Sequence, residues 1–195
     1  MQTTGYTRTA IVFHWAIAAL ILVNIPLGLI APQLDYGATR LAVLRIHGAI
    51  GVLVLILSFG RAAWRLTHTP PALPPGTRSW VRQASHAAHM VLYVLMFGLP
   101  LSGIAMVVAA GTYRVLLGLP MSGRPDFDAA ALPTAIHVTS AFILIGLLAV
   151  HVSAILLHQL VWKDGLLTRM TWSRSHRAAE IKGFPEQAGA PLAQR

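Results

Sequence analysis

Four long apolar runs, separated by polar segments, dominate the pattern of hydrophobic and polar positions along this chain. They cover about residues 10–31, 44–66, 84–108 and 136–161. A helix needs roughly 20 predominantly apolar residues to cross the hydrocarbon core of a bilayer, and each run reaches that length. The pattern therefore predicts an all-α integral membrane protein, folded as a four-helix bundle with short loops and without an additional soluble domain.

Composition supports the membrane class. The chain has 195 residues, of which 55% are hydrophobic and only 11% are charged, and its mean hydropathy is +0.64. There is no cysteine. Disulfides, iron–sulfur clusters and covalent haem attachment through a C-x-x-C-H motif are therefore excluded, and any haem must be held by other side chains.

The distribution of basic residues predicts the topology. The formal net charge is +9, and 11 of the 15 Lys and Arg residues lie in the amino end, the second loop and the carboxyl tail, against 4 in the other two loops. By the positive-inside rule, both termini are cytoplasmic. Because the basic residues flank apolar runs instead of forming a patch interleaved with surface aromatics, no nucleic-acid partner is expected.

The domain organisation follows from these runs. Residues 1–170 are expected to form one transmembrane four-helix domain in contact with membrane lipid, and residues 171–195 to form a basic, disordered cytoplasmic tail. The long loop 111–133 has no role that the sequence assigns.

Three histidines share one face of the fourth run. At ~100° per residue, His137, His151 and His158 fall within about 60° of one another on a helix, and at ~1.5 Å per residue the first two lie roughly 21 Å apart. An ionisable residue in lipid is costly and usually serves a function. The alternative is that each imidazole merely hydrogen-bonds a neighbouring helix.

Histidines on other helices match two of these by depth. With the predicted topology, His47 and His137 both lie near the outer face, whereas His14 and His151 both lie toward the cytoplasmic side. Two facing imidazoles suit the axial positions of a haem. Zinc or copper is less favoured because those sites usually need three or four ligands at one point. His89, near the start of the third run, remains an alternative to His14 opposite His151.

Several short motifs also stand in a fixed order along the chain. They are His14-Trp15, His47, Arg61-x-x-x-Arg65 followed by Thr69-Pro70-Pro71, His86-x-x-His89, Leu99-Pro100-x-x-Gly103, and His137, His151 and His158 with Trp162-Lys163-Asp164. Over about residues 5–172, their order and spacing resemble those of the bacterial cytochrome b561 family, a group of small four-helix di-haem membrane proteins.

The resemblance implies two haem b groups, one ligated by His47 and His137 and the other by His14 and His151. It also implies a multi-pass protein of the bacterial inner (cytoplasmic) membrane that moves single electrons across the bilayer, oxidising superoxide at the outer face and reducing ubiquinone. Relatives in the family also serve as electron-carrying subunits that link a quinone pool to a partner dehydrogenase, hydrogenase or reductase. This second function remains an alternative.

Two residues beyond His151 are candidate quinone contacts. His158 could donate or relay a proton, which makes it the one candidate catalytic residue, and Trp162 could pack against a quinone ring. Tryptophan at a membrane interface is more often an anchor, so that interpretation of Trp162 stays open.

Arginines are the candidate contacts for anions at both faces. Arg61 and Arg65 could pair with haem propionates. The arginines of the predicted outer loops could attract superoxide to the outer face; they are Arg40, Arg45, Arg114 and Arg124. Ordinary solvated loop charges are the alternative for each of the four.

Overall fold

Helices make up almost all of the regular structure in the computed structural model, which describes residues 5–71, 77–163 and 165–171. The helices are α1 (Arg8–Ile30), α2 (Ala38–Thr67), α3 (Ser79–Ala109), the short α4 (Tyr113–Leu116) and α5 (Ala131–Leu157). Single 3-10 turns follow at Ala31–Gln33 and Leu167–Met170, and a π-helical turn at His158–Trp162 continues α5. The predicted all-α class is confirmed.

Four of the helices are long and apolar enough to cross a bilayer. With their adjoining turns they span Arg8–Gln33, Ala38–Thr67, Ser79–Ala109 and Ala131–Trp162, between 26 and 32 residues each. Large apolar side chains point outward along them, among them Ile56 at 60% and Val150 at 63% exposed. Such a surface is stable against lipid and unfavourable against water. The prediction of four membrane-spanning helices is confirmed.

The helices pack in a specific order. α3 lies along α5, α1 along α2, and α2 along α3; among the described residues, neither α1 nor α2 packs closely along α5. Side chains that reach from α1 or α2 toward α5 therefore meet its side chains across a gap between helices. Pro26 lies inside α1 and Pro100 inside α3, and neither ends its helix.

Three helices begin five or six residues earlier than the apolar pattern predicts, and α1 begins two residues earlier. α2 starts at Ala38 instead of 44, α3 at Ser79 instead of 84, and α5 at Ala131 instead of 136. A hydropathy pattern identifies only the part of a helix that lies in the hydrocarbon core of the bilayer. The first helical turn can lie in the polar interface and is not detected. At α5, Pro133 falls in the first turn, where a missing N–H costs no helical hydrogen bond.

Both ends of the described chain meet at one end of the bundle, here called the terminal end. The Tyr6 N–H donates to the Arg169 carbonyl at 3.3 Å. The indole of Trp15 donates to the Met170 carbonyl at 2.7 Å, and that of Trp64 donates to Thr7 Oγ1 at 2.9 Å. Most of the predicted tail, residues 172–195, lies outside the described residues.

At the opposite end, one arginine fixes the connection between α3 and α5. The guanidinium of Arg45, on α2, donates from Nη2 and Nε to the carbonyl of Val115 at 2.7 and 3.3 Å. Val115 belongs to α4, so this contact ties the short helix to the start of α2. Arg114 donates to the carbonyl of Pro120 within the same connection at 3.1 Å.

The Arg45 contact predicts a local stability effect. In Arg45→Met both hydrogen bonds are lost, and since the site is exposed we expect a cost of about 1 kcal/mol, or about fivefold faster exchange of the backbone amides of residues 113–119. Hydrogen-exchange mass spectrometry on the purified protein measures this. Arg45→Lys keeps the charge and should fall between the two; equal exchange in Arg45→Met and the wild type would contradict the assignment.

Candidate functional site

One histidine pair bridges α2 and α5 toward the opposite end. The ring centres of His47 and His137 lie 6.2 Å apart, with an angle of 83° between the ring planes. Both side chains are half-buried. The sequence prediction that these two histidines share one level of the bundle therefore agrees with their proximity.

Each ring of this pair is held by a backbone carbonyl of a neighbouring helix. His47 Nδ1 lies 3.2 Å from the Asn24 carbonyl, and His137 Nδ1 lies 3.0 Å from the Leu99 carbonyl and 3.1 Å from Ser102 Oγ. A carbonyl can only accept, so Nδ1 carries the proton in both rings and Nε2 keeps its lone pair. This is the protonation state in which histidine ligates a metal through Nε2.

A second group of histidines lies nearer the terminal end. The ring centre of His151, on α5, lies 6.4 Å from that of His14, on α1, and 5.7 Å from that of His89, on α3. Three half-buried imidazoles therefore converge at this level. The structure brings together the predicted pair and also the alternative that the sequence left open.

Hydrogen bonds at this level differ between the two candidates. Arg61 Nη1 lies 3.0 Å from His14 Nδ1, and since a guanidinium only donates, that nitrogen accepts. A neutral His14 then carries its proton on Nε2, and ligation through Nε2 requires Arg61 to release Nδ1. His89 Nδ1 instead donates to the carbonyl of Ser85 at 2.6 Å, which leaves Nε2 with its lone pair.

Helix packing favours His14. His89 and His151 lie on α3 and α5, which pack against each other directly, whereas His14 and His151 face each other across helices that do not. The same holds for His47 and His137. A flat macrocycle between two imidazoles needs such a gap.

The pair distances also suit a shared metal. Two metal–imidazole bonds of roughly 2 Å each, together with the distances from nitrogen to ring centre, add up to about 6 Å between ring centres. The observed separations are 6.2 and 6.4 Å. Beside His47, the buried amide oxygen of Asn24 has no hydrogen-bond partner within the described chain. Across the described ranges no cluster of three or more His, Cys, Asp or Glu side chains is arranged to hold a metal ion. The candidate metal sites are therefore pairs of histidines.

His158 and Trp162 lie together beyond the second group. They begin and end the π-helical turn, and their ring centres are 4.5 Å apart at 89°. Single π-helical turns occur frequently at functional sites. Trp162 is 44% exposed, so its indole faces the surroundings of the bundle.

A groove at the terminal end contains residues that the sequence analysis did not connect. Arg61 donates from Nε to the hydroxyl of Tyr93 at 3.2 Å, and the guanidinium groups of Arg61 and Arg65 lie 5.9 and 5.8 Å from the centre of the Tyr93 ring. Thr7 and Ala10 line the same groove. Tyr93 lies in the middle of an apolar spanning run, where a tyrosine resembles any other large core residue. The sequence therefore does not identify it as a functional residue.

Three of the four predicted outer arginines lie at the opposite end of the bundle and donate to backbone carbonyls there. Besides Arg45 and Arg114, Arg40 donates to the Leu34 carbonyl at 3.4 Å and lies 4.2 Å over the ring of Tyr36. The partners in these contacts are neutral carbonyls and an aromatic face, so the contacts do not neutralise the positive charges.

Fold and histidine geometry together define a class: a multi-pass helical membrane protein with facing imidazoles at two depths. The particular family follows from the sequence, because the family model described as Prokaryotic cytochrome b561 matches residues 5–173. The chain belongs to the prokaryotic cytochrome b561 family. It is thus an electron-transfer protein of a bacterial membrane, and the family implies that it binds haem b. The resemblance noted in the sequence is confirmed.

Curated relatives match along most of their length. The chain is 29% identical to Cytochrome b561 homolog 1 of Escherichia coli over 168 residues, which cover 85% of this chain and 96% of the relative. It is 29% identical to Probable superoxide oxidase CybB of Yersinia pestis over 170 residues, covering 85% and 94%. It is 32% identical to Cytochrome b562 of Cereibacter sphaeroides over 175 residues, covering 87% and 96%.

Proposed function

We propose that this protein carries two haem b groups and moves single electrons across the bacterial inner membrane, oxidising superoxide at the outer face and reducing ubiquinone. The observation that carries the proposal is the presence of two facing histidine pairs, with ring centres 6.2 and 6.4 Å apart, at two depths of one membrane bundle. The excess of Lys and Arg at the terminal end supports a cytoplasmic location for that end.

Haem, when bound, supplies reversible one-electron chemistry at iron. The chain's own part is to hold and orient it. His47 and His137 are proposed as axial ligands of the outer haem, and His14 and His151 as those of the inner haem. Carbonyl hydrogen bonds at Nδ1 keep the outer ligands in the ligating tautomer.

At the inner level, Arg61 and Arg65 are proposed as partners of the haem carboxylates. They stand one helical turn apart, neither pairs with a carboxylate of the described part of the chain, and Arg61 donates to His14 Nδ1. An Arg–carboxylate hydrogen bond is stronger than one to a neutral imidazole. Haem binding would therefore draw Arg61 away from His14, and His14 could shift its proton to Nδ1 and ligate through Nε2.

Single substitutions decide between the two inner candidates. We expect His14→Ala to reduce the haem content from two to one per chain, because an axial ligand is lost, and His89→Ala to retain both haems. The measurement is haem quantified per purified chain. His86→Ala, an exposed histidine on the same helix as His89, is the control. Loss of a haem in His89→Ala but not in His14→Ala would assign His89 as the ligand instead.

The choice of superoxide as electron donor is supported by a relative and by charge. The Yersinia pestis relative is named a probable superoxide oxidase. Arg40, Arg45 and Arg114 lie at the proposed outer end and could attract a small anion. The overall reaction balances when two superoxide anions each lose one electron to become dioxygen, while one ubiquinone takes up two electrons and two protons.

Stopped-flow absorbance tests the donor. We expect superoxide to reduce the haems of the oxidised protein rapidly, added ubiquinone to reoxidise them, and the rate of reduction to fall on the order of tenfold as salt screens the outer arginines. Haems that are present but unresponsive to superoxide would contradict the enzyme assignment. That result would favour the alternative, an electron-carrying subunit whose donor is a partner dehydrogenase, hydrogenase or reductase.

The quinone site is proposed at His158 and Trp162. Reduction of ubiquinone needs a proton source, a hydrogen-bond partner and a flat apolar wall. The imidazole of His158 can donate a proton, and the perpendicular indole of Trp162 extends the surface beside it. Trp162 is exposed at the end of a spanning helix, so a hydrophobic quinone could reach this pair of side chains laterally from the lipid.

This assignment predicts a selective defect. His158→Ala should slow reoxidation of the haems by ubiquinone by about 100-fold, the lower range for loss of a general acid, while superoxide still reduces them at the wild-type rate. Both rates come from the same stopped-flow traces. His68→Ala, an exposed histidine at the same end of the bundle, should match the wild type. If His158→Ala also matches it, the quinone site lies elsewhere.

A further inference from the structure

The rings of His47 and His137 each lie against a glycine of the neighbouring helix. A Cβ atom at Gly28 would stand 2.8 Å from His47 Cε1 and 3.2 Å from its Nδ1. A Cβ atom at Gly103 would stand 3.1 Å from His137 Cε1 and 3.3 Å from its Nδ1. A Cβ atom at Gly28 would force the His47 ring to move, and one at Gly103 would require the His137 ring to give way by a few tenths of an ångström.

The carbonyl that holds each ring comes from the residue four positions before that glycine. His47 Nδ1 donates to Asn24, four residues before Gly28, and His137 Nδ1 donates to Leu99, four residues before Gly103. In an α-helix the carbonyl of residue i accepts from the N–H of residue i+4, and its second lone pair remains available. A glycine at i+4 leaves that carbonyl accessible to a donor from another helix, and the Leu99 carbonyl accepts from the Ser102 hydroxyl as well as from His137.

Each of these segments also contains a proline between the carbonyl and the glycine. Pro26 stands within Asn24–Gly28 on α1, and Pro100 within Leu99–Gly103 on α3. A proline inside a helix displaces the carbonyls of the turn around it. The same three features, an accepting carbonyl, a proline and a glycine, therefore occur on two helices that serve two different histidines.

We propose that these two segments are two copies of one positioning element, here called an imidazole seat. One seat is formed by Asn24 with Gly28, and the other by Leu99 with Gly103. The seats fix the tautomer and the ring planes of His47 and His137, and they set the angle of 83° between those planes. The inference rests on the proposed function, in which these two histidines bind the iron of one haem.

The inner histidines are held differently. His14 Nδ1 is bound by Arg61, and His89 Nδ1 by the Ser85 carbonyl of its own helix. At none of the other glycines within α2, α3 and α5 would an added Cβ atom contact a histidine ring. The seats are thus specific to the outer pair, and their removal should alter one haem and leave the other unchanged.

Glycine-to-alanine substitutions test the seats. In a helix this change alone favours folding, so a defect reports the lost space. We expect Gly28→Ala and Gly103→Ala each to weaken binding of the outer haem by about 10–100-fold, the usual effect of losing a partner that orients a ligand. Haem that remains should show a changed electron paramagnetic resonance g value and a changed midpoint potential for that haem alone.

Matched controls are available in the helices of the same bundle. Gly98→Ala on α3 and Gly146→Ala on α5 would place their Cβ atoms in open space, and both should keep the wild-type signals. Ser102→Ala is a milder variant that removes only the hydroxyl shared with His137 and Leu99; it should shift the same haem's potential without loss of haem. It keeps the test decisive if an alanine at Gly28 or Gly103 prevents folding.

The outcomes separate the seats from the proposed function. Two haems in the wild type, with signals in Gly28→Ala, Gly103→Ala and Ser102→Ala that equal those of the controls, would overturn the seats alone. A change confined to the inner haem would also overturn them. A wild-type protein without haem, after expression with adequate haem supply, would overturn the proposed function and the seats together.

Discussion

The structure depends on the need to satisfy imidazole nitrogens where water is absent. A buried donor or acceptor without a partner costs about 1–3 kcal/mol, and in hydrocarbon no solvent can supply one. Helical carbonyls already accept within their own helix, so a ring nitrogen from another helix needs a carbonyl that is still accessible. Asn24 and Leu99 provide such carbonyls, and a glycine one turn later gives each ring the space to reach them.

This requirement explains how the bundle is arranged. α5 carries a histidine at each of two depths, and it packs along α3 while α1 and α2 stay farther from it. The rings of His47 and His14 therefore meet those of His137 and His151 across a gap, which a directly packed helix pair would not leave. Lipid encloses the remaining apolar surface, so the polar groups concentrate between the helices and at the two ends of the bundle.

Hydropathy and helical periodicity were sufficient to predict the four spanning helices and the histidine stripe on α5, because both depend on local composition. Matching by depth also placed His47 near His137 and His14 near His151. The earlier start of α2 at Ala38 was missed because interfacial turns carry no hydropathy signal. The contacts of Arg61 with His14 and Tyr93, and the role of Gly28, depend on which helices become neighbours, and single-chain patterns do not encode that directly.

The two histidine levels differ in how strongly the protein alone fixes the tautomer and the orientation of each imidazole. At the outer level both rings are fixed by carbonyls that can only accept, so each has one tautomer and one orientation. At the inner level three imidazoles and two guanidinium groups share the site, and the state of His14 depends on whether Arg61 binds it or an anion. A ligand that carries carboxylates would therefore do more than fill the inner site. On the proposed function, it would also select the tautomer of His14, the residue proposed to bind it.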